Sequence, residues 1–171
     1  MCGTFGRITT TFHGSDLLDQ VLPGLIRGTR TFPSVARAVW GRIPAAMAFR
    51  VACAGRELDG KRIQEEDFQR YWEHAALMDP DVFLRMLQCA GQHDARGFLH
   101  DIDIPTLVVA AAHDTFTPMA LAEEMAAAIP NAELEVIEGA SHAAPVEQPD
   151  RIAERVEDFM SSRLGLTRVP A

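Results

Sequence analysis

What this chain of 171 residues is short of narrows its function before any motif does. It has three cysteines, Cys2, Cys53 and Cys89, odd in number and widely spaced. They form neither a disulfide framework nor a C-x-x-C metal or redox motif, and read as small buried residues in a reducing compartment. Positive charge is also scarce: 16 Lys and Arg face 24 Asp and Glu, a formal charge of -8. The cations form no basic run, so neither a nucleic acid nor an anionic membrane surface is expected as a partner. No apolar run approaches the roughly 20 residues that span a bilayer. No basic n-region followed by an apolar stretch opens the chain, so a cytoplasmic protein is expected. Internal repeats and low-complexity tracts are absent.

Apolar side chains are present in quantity, at 47% of the chain, which suits a folded domain with a core. The sequence changes texture near residues 99–104. Before that boundary, residues 14–99 read as successive helices. Leu17, Leu18, Val21, Leu22, Leu25 and Ile26 recur at i, i+1, i+4, i+5 and beyond, which predicts one helical face. Val35, Val39 and Trp40 continue the pattern after Pro33, and Phe49 and Val51 follow Pro44. Residues 67–76 carry Phe68, Tyr71, Trp72 and Ala75. Asp79-Pro80 is a helix start, followed by Val82, Phe83, Met86, Leu87 and Ala90 at helical spacing. Trp40, Tyr71, Trp72, Phe83 and Met86 are read chiefly as helix-packing residues.

Beyond residue 102, "IPTLVVAAA" is a short apolar run opened by Pro105, the pattern of a strand buried on both faces. Pro118 opens a helix with Ala122, Met125, Ala126 and Ile129 on one face. "AELEVIEG" is a second strand ending at Gly139, and Pro149 introduces a helix with Ile152, Val156, Phe159 and Met160. Strand, helix, strand, helix with short connections predicts a right-handed βαβ unit and a parallel sheet. The expected fold class is α/β, a helical region feeding a βαβα unit.

Functional groups of an open parallel sheet gather beyond the carboxyl ends of its strands. Asp114, in "AAHDTFTP", follows the first strand, and His142, in "EGASHAAPVEQPD", follows the second. Adjacent parallel strands would set both at one edge of the sheet. There a carboxylate can accept from the imidazole, fix its tautomer and stabilise the imidazolium formed when the ring takes a proton from a nucleophile. An Asp alone is an ordinary turn residue and a His alone is often structural; their joint placement makes them candidate catalytic residues. His113 is read as a loop residue able to line a pocket, and Glu147 as a residue that orders the His loop or caps the last helix. His93, His100, Asp101 and Asp103 are read as a solvated linker, because their spacing fits no metal motif. No metal or cofactor is expected.

Residues 100–160 resemble the C-terminal end of the α/β-hydrolase superfamily. "IDIPTLVVAAAHDTFTP" is similar to its strand-and-acid segment, and "IPNAELEVIEGASHAAPVEQPDRIAERVEDFM" to its final strand, catalytic-His loop and last helix. The resemblance implies that residues 14–99 are the helical cap, the lid over a substrate pocket. It implies that residues 1–13, with "CGTFG" at 2–6, are a loop after the sixth strand, that 100–163 belong to the core and that 164–171 are a tail. It also implies that Asp114 and His142 are the acid and base of a triad ordered nucleophile, acid, His.

The family's nucleophile elbow, G-x-S-x-G between a strand and a helix, does not occur here. Ser15 and Ser34 fall beside helix starts, where capping is expected. Ser161 and Ser162 lie in the final helix region, and Ser141 adjoins His142 too closely to face its ring nitrogen. Cys53 and Cys89, each followed by Ala-Gly, lack the elbow's earlier Gly and a preceding strand. The nucleophile is therefore expected upstream, and this chain alone is expected to be inactive.

For a complete protein the resemblance implies acyl transfer on a small apolar ester, lactone or amide. The same fold hosts epoxide hydrolases, dehalogenases, lyases and oxygenases, and a Ser or Asp nucleophile would separate several of these. Three readings stay open: the C-terminal part of a longer hydrolase, half of a split enzyme, or a non-catalytic binding module or remnant. The expected protein partner is the missing N-terminal half, or a second copy meeting an apolar strand edge at 106–111.

Overall fold

The computed structural model describes residues 15–166. The readings made for residues 1–13, including Cys2, and for the end of the tail lie outside the described residues. Five helices come first: α1 (Leu17–Thr31), α2 (Pro33–Trp40), α3 (Ala45–Ala54), α4 (Glu65–Leu77) and α5 (Pro80–Gln92). Their starts follow local chemistry. Pro33 and Pro80 occupy first-turn positions, where a missing N–H removes no helical bond. The Asp79 side chain accepts from the Asp81 amide at 2.9 Å, and the Ser15 hydroxyl accepts from the Leu17 amide at 3.1 Å. Ser15 precedes the N-cap residue Asp16, so its bond closes a turn leading into α1 and is not the helix cap its position suggested.

α1 packs against α2 and α5, and α3 against α4. The single apolar face expected for α1 divides into two stripes. Leu22 and Ile26 are buried, whereas Leu17, Val21 and Leu25 are exposed, as are Val35, Val39, Val82 and Met86 on the neighbouring helices. A helix packed on one side buries only the stripe at i and i+4, and the adjacent stripe turns outward. Aromatic rings fill the space between helices. Trp40 lies 5.8 Å from Trp72 and 5.1 Å from Phe83, and its indole N–H donates to the Ala75 carbonyl at 2.9 Å. The Trp72 indole donates to the Ile43 carbonyl at 2.8 Å, so both half-buried N–H groups are satisfied.

After a 3-10 turn (Leu99–Asp101) the chain forms β1 (Thr106–Ala111), α6 (Met119–Ala128), β2 (Ala132–Ile137), the one-turn α7 (Ala144–Glu147) and α8 (Pro149–Leu164). β1 and β2 pair in parallel, in register from Thr106 opposite Ala132 to Ala111 opposite Ile137. Among the described residues the sheet consists of these two strands. Leu107, Val108, Ala110 and Ala111 are buried, as a strand covered on both faces requires.

On one side, Val108 and Ala110 join Leu99, Leu121, Ala122, Met125 and Ile129 in the main core. On the other, Ala111 packs with Ile137, Ala140 and Ala144. The alternation along β2 puts Glu133 and Glu135 on the α8 side, where Arg151, Arg155 and Arg163 pair with them. Among the described residues no helix is long and apolar enough to cross a membrane.

Candidate active site

The parallel register delivers two loops to the same edge of the sheet. Pairing continues past the strand ends: the Ala112 amide donates to the Ile137 carbonyl at 3.1 Å and the His113 amide to the Ala140 carbonyl at 3.0 Å. Gly139 turns the chain out of β2 with φ at 69°, a left-handed conformation that favours glycine. These bonds bring Asp114 and His142 face to face.

The Asp114 carboxylate is bound from four directions. It accepts from the Phe116 amide at 2.8 Å, the Thr117 amide at 2.8 Å and the Thr117 hydroxyl at 2.6 Å, which folds the turn ahead of Pro118. The same carboxylate accepts from His142 Nδ1, at 3.0 Å to Oδ2 and 3.2 Å to Oδ1. Turn-forming and imidazole-holding roles therefore coexist in one residue. The Asp114 side chain is 8% exposed and that of His142 44%. A buried carboxylate fixes Nδ1, leaving Nε2 as the nitrogen available to exchange a proton. The Phe116 ring, 4.9 Å from the imidazole, restrains its rotation.

Burial disfavours the charged form of both groups, yet their contact outweighs it. His142 is raised above its ordinary 6.5, chiefly by the hydrogen bond and charge of Asp114, with smaller help from Glu57 and Glu147. Asp114 is lowered below its ordinary 3.8 by the imidazole and by the Thr117 hydroxyl and amide.

A third segment, the connector from α3 to α4, locks onto both loops. Arg56 adopts φ of 61°, uncommon for a residue with a side chain, and so redirects the chain at the end of α3. Glu57 follows, and its carboxylate accepts from the Thr115 hydroxyl at 2.8 Å. The Ser141 hydroxyl lies between the Glu147 carboxylate and the Glu57 carbonyl, 2.9 Å from the latter. Glu147, 8% exposed, accepts from the Asp59 amide at 2.8 Å and the Ser141 amide at 2.7 Å. Glu147 thus orders the His loop and also ties it to the helical region. Ser141 is committed to this clamp.

Beside His142 opens a cavity of about 640 Å³, walled by Met47, Val51, Ile63, Phe68, Trp72 and Val146 among others. Glu57 and His142 are among its few polar linings. Tyr71 and Trp72 reach this wall, whereas Trp40 and Phe83 pack between helices and Met86 is exposed.

Other singled-out residues stand apart. His113 lines a separate cavity of about 190 Å³ with Arg56 and Cys53. The Cys53 thiol is raised by burial and by the charge of Asp59, which suits a packing residue, while Cys89 is exposed on α5. His100 and Asp101 contact each other on the surface, 67% and 71% exposed. Among the described residues, His93, His100, Asp101 and Asp103 supply no converging set of three ligands. Glu57, Asp114 and His142 do converge, with ligand atoms within 4.8 Å. Both Asp114 oxygens, however, already accept from amides, a hydroxyl and the ring, leaving no lone pair directed at an ion.

Two outcomes follow. The Asp114–His142 contact stabilises the fold fully above Asp114's ordinary 3.8 and below His142's ordinary 6.5. It weakens as pH falls through the lowered Asp114 pKa or rises through the raised His142 pKa. Urea unfolding across pH will therefore show the largest destabilisation by Asp114→Asn inside that window and smaller effects on either side. Glu147→Ala strips an acceptor from two amides and a hydroxyl and will cost about 2–4 kcal/mol in the same assay, with Glu147→Gln costing less.

Comparison with known proteins agrees with this architecture. Residues 69–149 match the family model described as alpha/beta hydrolase fold. A non-heme chloroperoxidase of Kitasatospora aureofaciens is 34% identical over 84 residues, 48% of this chain and 30% of that protein. The enol-lactonase of Burkholderia xenovorans superposes with a TM-score of 0.59 at 25% identity, over 75% of this chain and 50% of that one. A bromoperoxidase of Bacillus anthracis superposes with a TM-score of 0.62 at 19% identity, over 75% of this chain and 48% of its own. A thermophilic esterase of Thermogutta terrifontis gives a TM-score of 0.57 at 25% identity, over 74% and 47%. The chain thus spans about a third of the chloroperoxidase and half of each solved relative. Through its acid and His loops the chain is similar to the α/β-hydrolase family, and it has a partial version of the α/β-hydrolase fold.

Proposed function

We propose that Asp114 and His142 are the acid and base of a hydrolytic triad acting on a small apolar ester, lactone or similar acyl compound. The observation that carries this reading is an imidazole held at Nδ1 by a buried carboxylate on the wall of a largely apolar cavity. His142 takes the nucleophile's proton at Nε2, and Asp114 stabilises the imidazolium that results. The ring then activates water to release the acid product. Residues 14–99 serve as the lid, since α3 and α4 supply most of the cavity wall.

The nucleophile comes from polypeptide other than residues 15–166. Among the described residues no hydroxyl or thiol hydrogen-bonds to Nε2 of His142, and Ser141 is held by Glu57 and Glu147. It is supplied by an upstream segment of a longer chain or by a separate polypeptide. The exposed apolar stripe of Leu17, Val21, Leu25, Val35 and Val39 supports an association of this kind. The names of two solved relatives, an esterase and an enol-lactonase, fit acyl chemistry without choosing the substrate.

Hydrolysis of p-nitrophenyl butyrate tests the reading. The chain alone will show no turnover. Turnover will appear when upstream coding sequence is included or a nucleophile-bearing partner is co-expressed, and His142→Ala will lower it about a thousandfold or more. Turnover by this chain alone, lost in His142→Ala, would place the nucleophile within it. Restored turnover that His142→Ala leaves intact would refute the assignment of the base.

A further inference from the structure

Ionisable groups on the cavity wall are of nearly one sign. They are Glu57, Asp67, Tyr71 and His142, with no Lys or Arg among the lining residues. Glu57 is the carboxylate closest to the chemistry, with ligand atoms of Glu57, Asp114 and His142 all within 4.8 Å of one another. Its charge is felt at the imidazole, helping to hold the protonated ring. The Thr115 hydroxyl fixes its position. Of the three cations on its own connector, Arg56 lines the smaller cavity beside His113, Arg62 pairs with Asp59 at 3.2 Å, and Lys61 is not among the residues lining this cavity. Glu147 adds a further buried carboxylate behind the His loop. A protonated His142 offsets Asp114 alone, so the site stays net negative.

Resting on the proposed function only for the identity of the pocket, we infer that Glu57 is a specificity-determining residue. It makes the cavity admit neutral or cationic apolar ligands and reject those that carry a carboxylate. A ligand carboxylate placed near His142 would lie beside Glu57 in an environment of low dielectric, where like charges repel far more strongly than in water. Hydrolysis changes the ligand in the same sense: ester and water give an alcohol and an acid that ionises at neutral pH. The product thereby acquires the charge the cavity rejects, and its release is favoured.

Calorimetric titration of the full chain at neutral pH with three probes of one shape tests this: phenylbutanol, phenylbutylamine and phenylbutanoate. The alcohol and the amine will bind, and the carboxylate will bind about tenfold more weakly or worse. Glu57→Gln, which keeps the acceptor for Thr115, will narrow that gap to about threefold or less. The gap in the unaltered protein is itself a readout that does not depend on the variant folding. Equal binding of alcohol and carboxylate, or a gap unchanged in folded Glu57→Gln, would overturn the inference. Discrimination without restored ester turnover would keep this inference and sink the hydrolytic reading. Restored turnover without discrimination would do the reverse.

Discussion

The parallel pairing of β1 with β2 is the constraint on which the site depends. Each strand has six residues and they pair without a bulge, so their carboxyl ends coincide and the two following loops emerge side by side. A register slip would move Asp114 along the edge and exchange the strand's two buried faces, taking Val108 and Ala110 out of the core under α6. The core under α6 and the Asp114–His142 contact are thus two results of one alignment. Bonds from Ala112 and His113 across to the His loop extend that alignment beyond the strands and remove slack from the loops.

Held this way, the site is crowded with carboxylates. Asp114 holds the imidazole, Glu147 binds the backbone of two segments, and Glu57 joins the Asp114 loop to the helical region. Each buried carboxylate requires donors, and those donors are amides and hydroxyls of the same loops. The result is a clamp in which helical region, acid loop and His loop share hydrogen bonds. It also fixes the electrostatics: the imidazolium is favoured by neighbours that repel other anions. Positioning and selectivity arise from the same groups.

Much of this was legible in the sequence where local chemistry sets structure. The apolar run 106–111, Pro118 and Pro149 placed both strands and their helices, and the placement of Asp114 and His142 after consecutive parallel strands predicted their meeting. Glu147 was legible as an orderer of its loop, though its reach to Asp59 was not. Helical faces were read too broadly: periodicity identifies a stripe of Leu17, Val21 and Leu25 but not whether anything covers it. Glu57 was missed altogether. It follows Gly55 and Arg56 in a polar turn like many others, and only the positive φ of Arg56 and the fold of distant loops bring it to the imidazole. Contacts as distant in sequence as that of Glu147 with Asp59, 88 residues apart, leave no local pattern to read.

The site centres on a charge-stabilised imidazole bound through Nδ1, and the pH titration of the His142 ring nitrogens by NMR measures it directly. The prediction is a pKa above 6.5 that falls in Asp114→Asn, with Nε2 the nitrogen that loses its proton. A His142 pKa at or below 6.5 and indifferent to Asp114→Asn would show that the two side chains do not act as a pair, and would contradict the account.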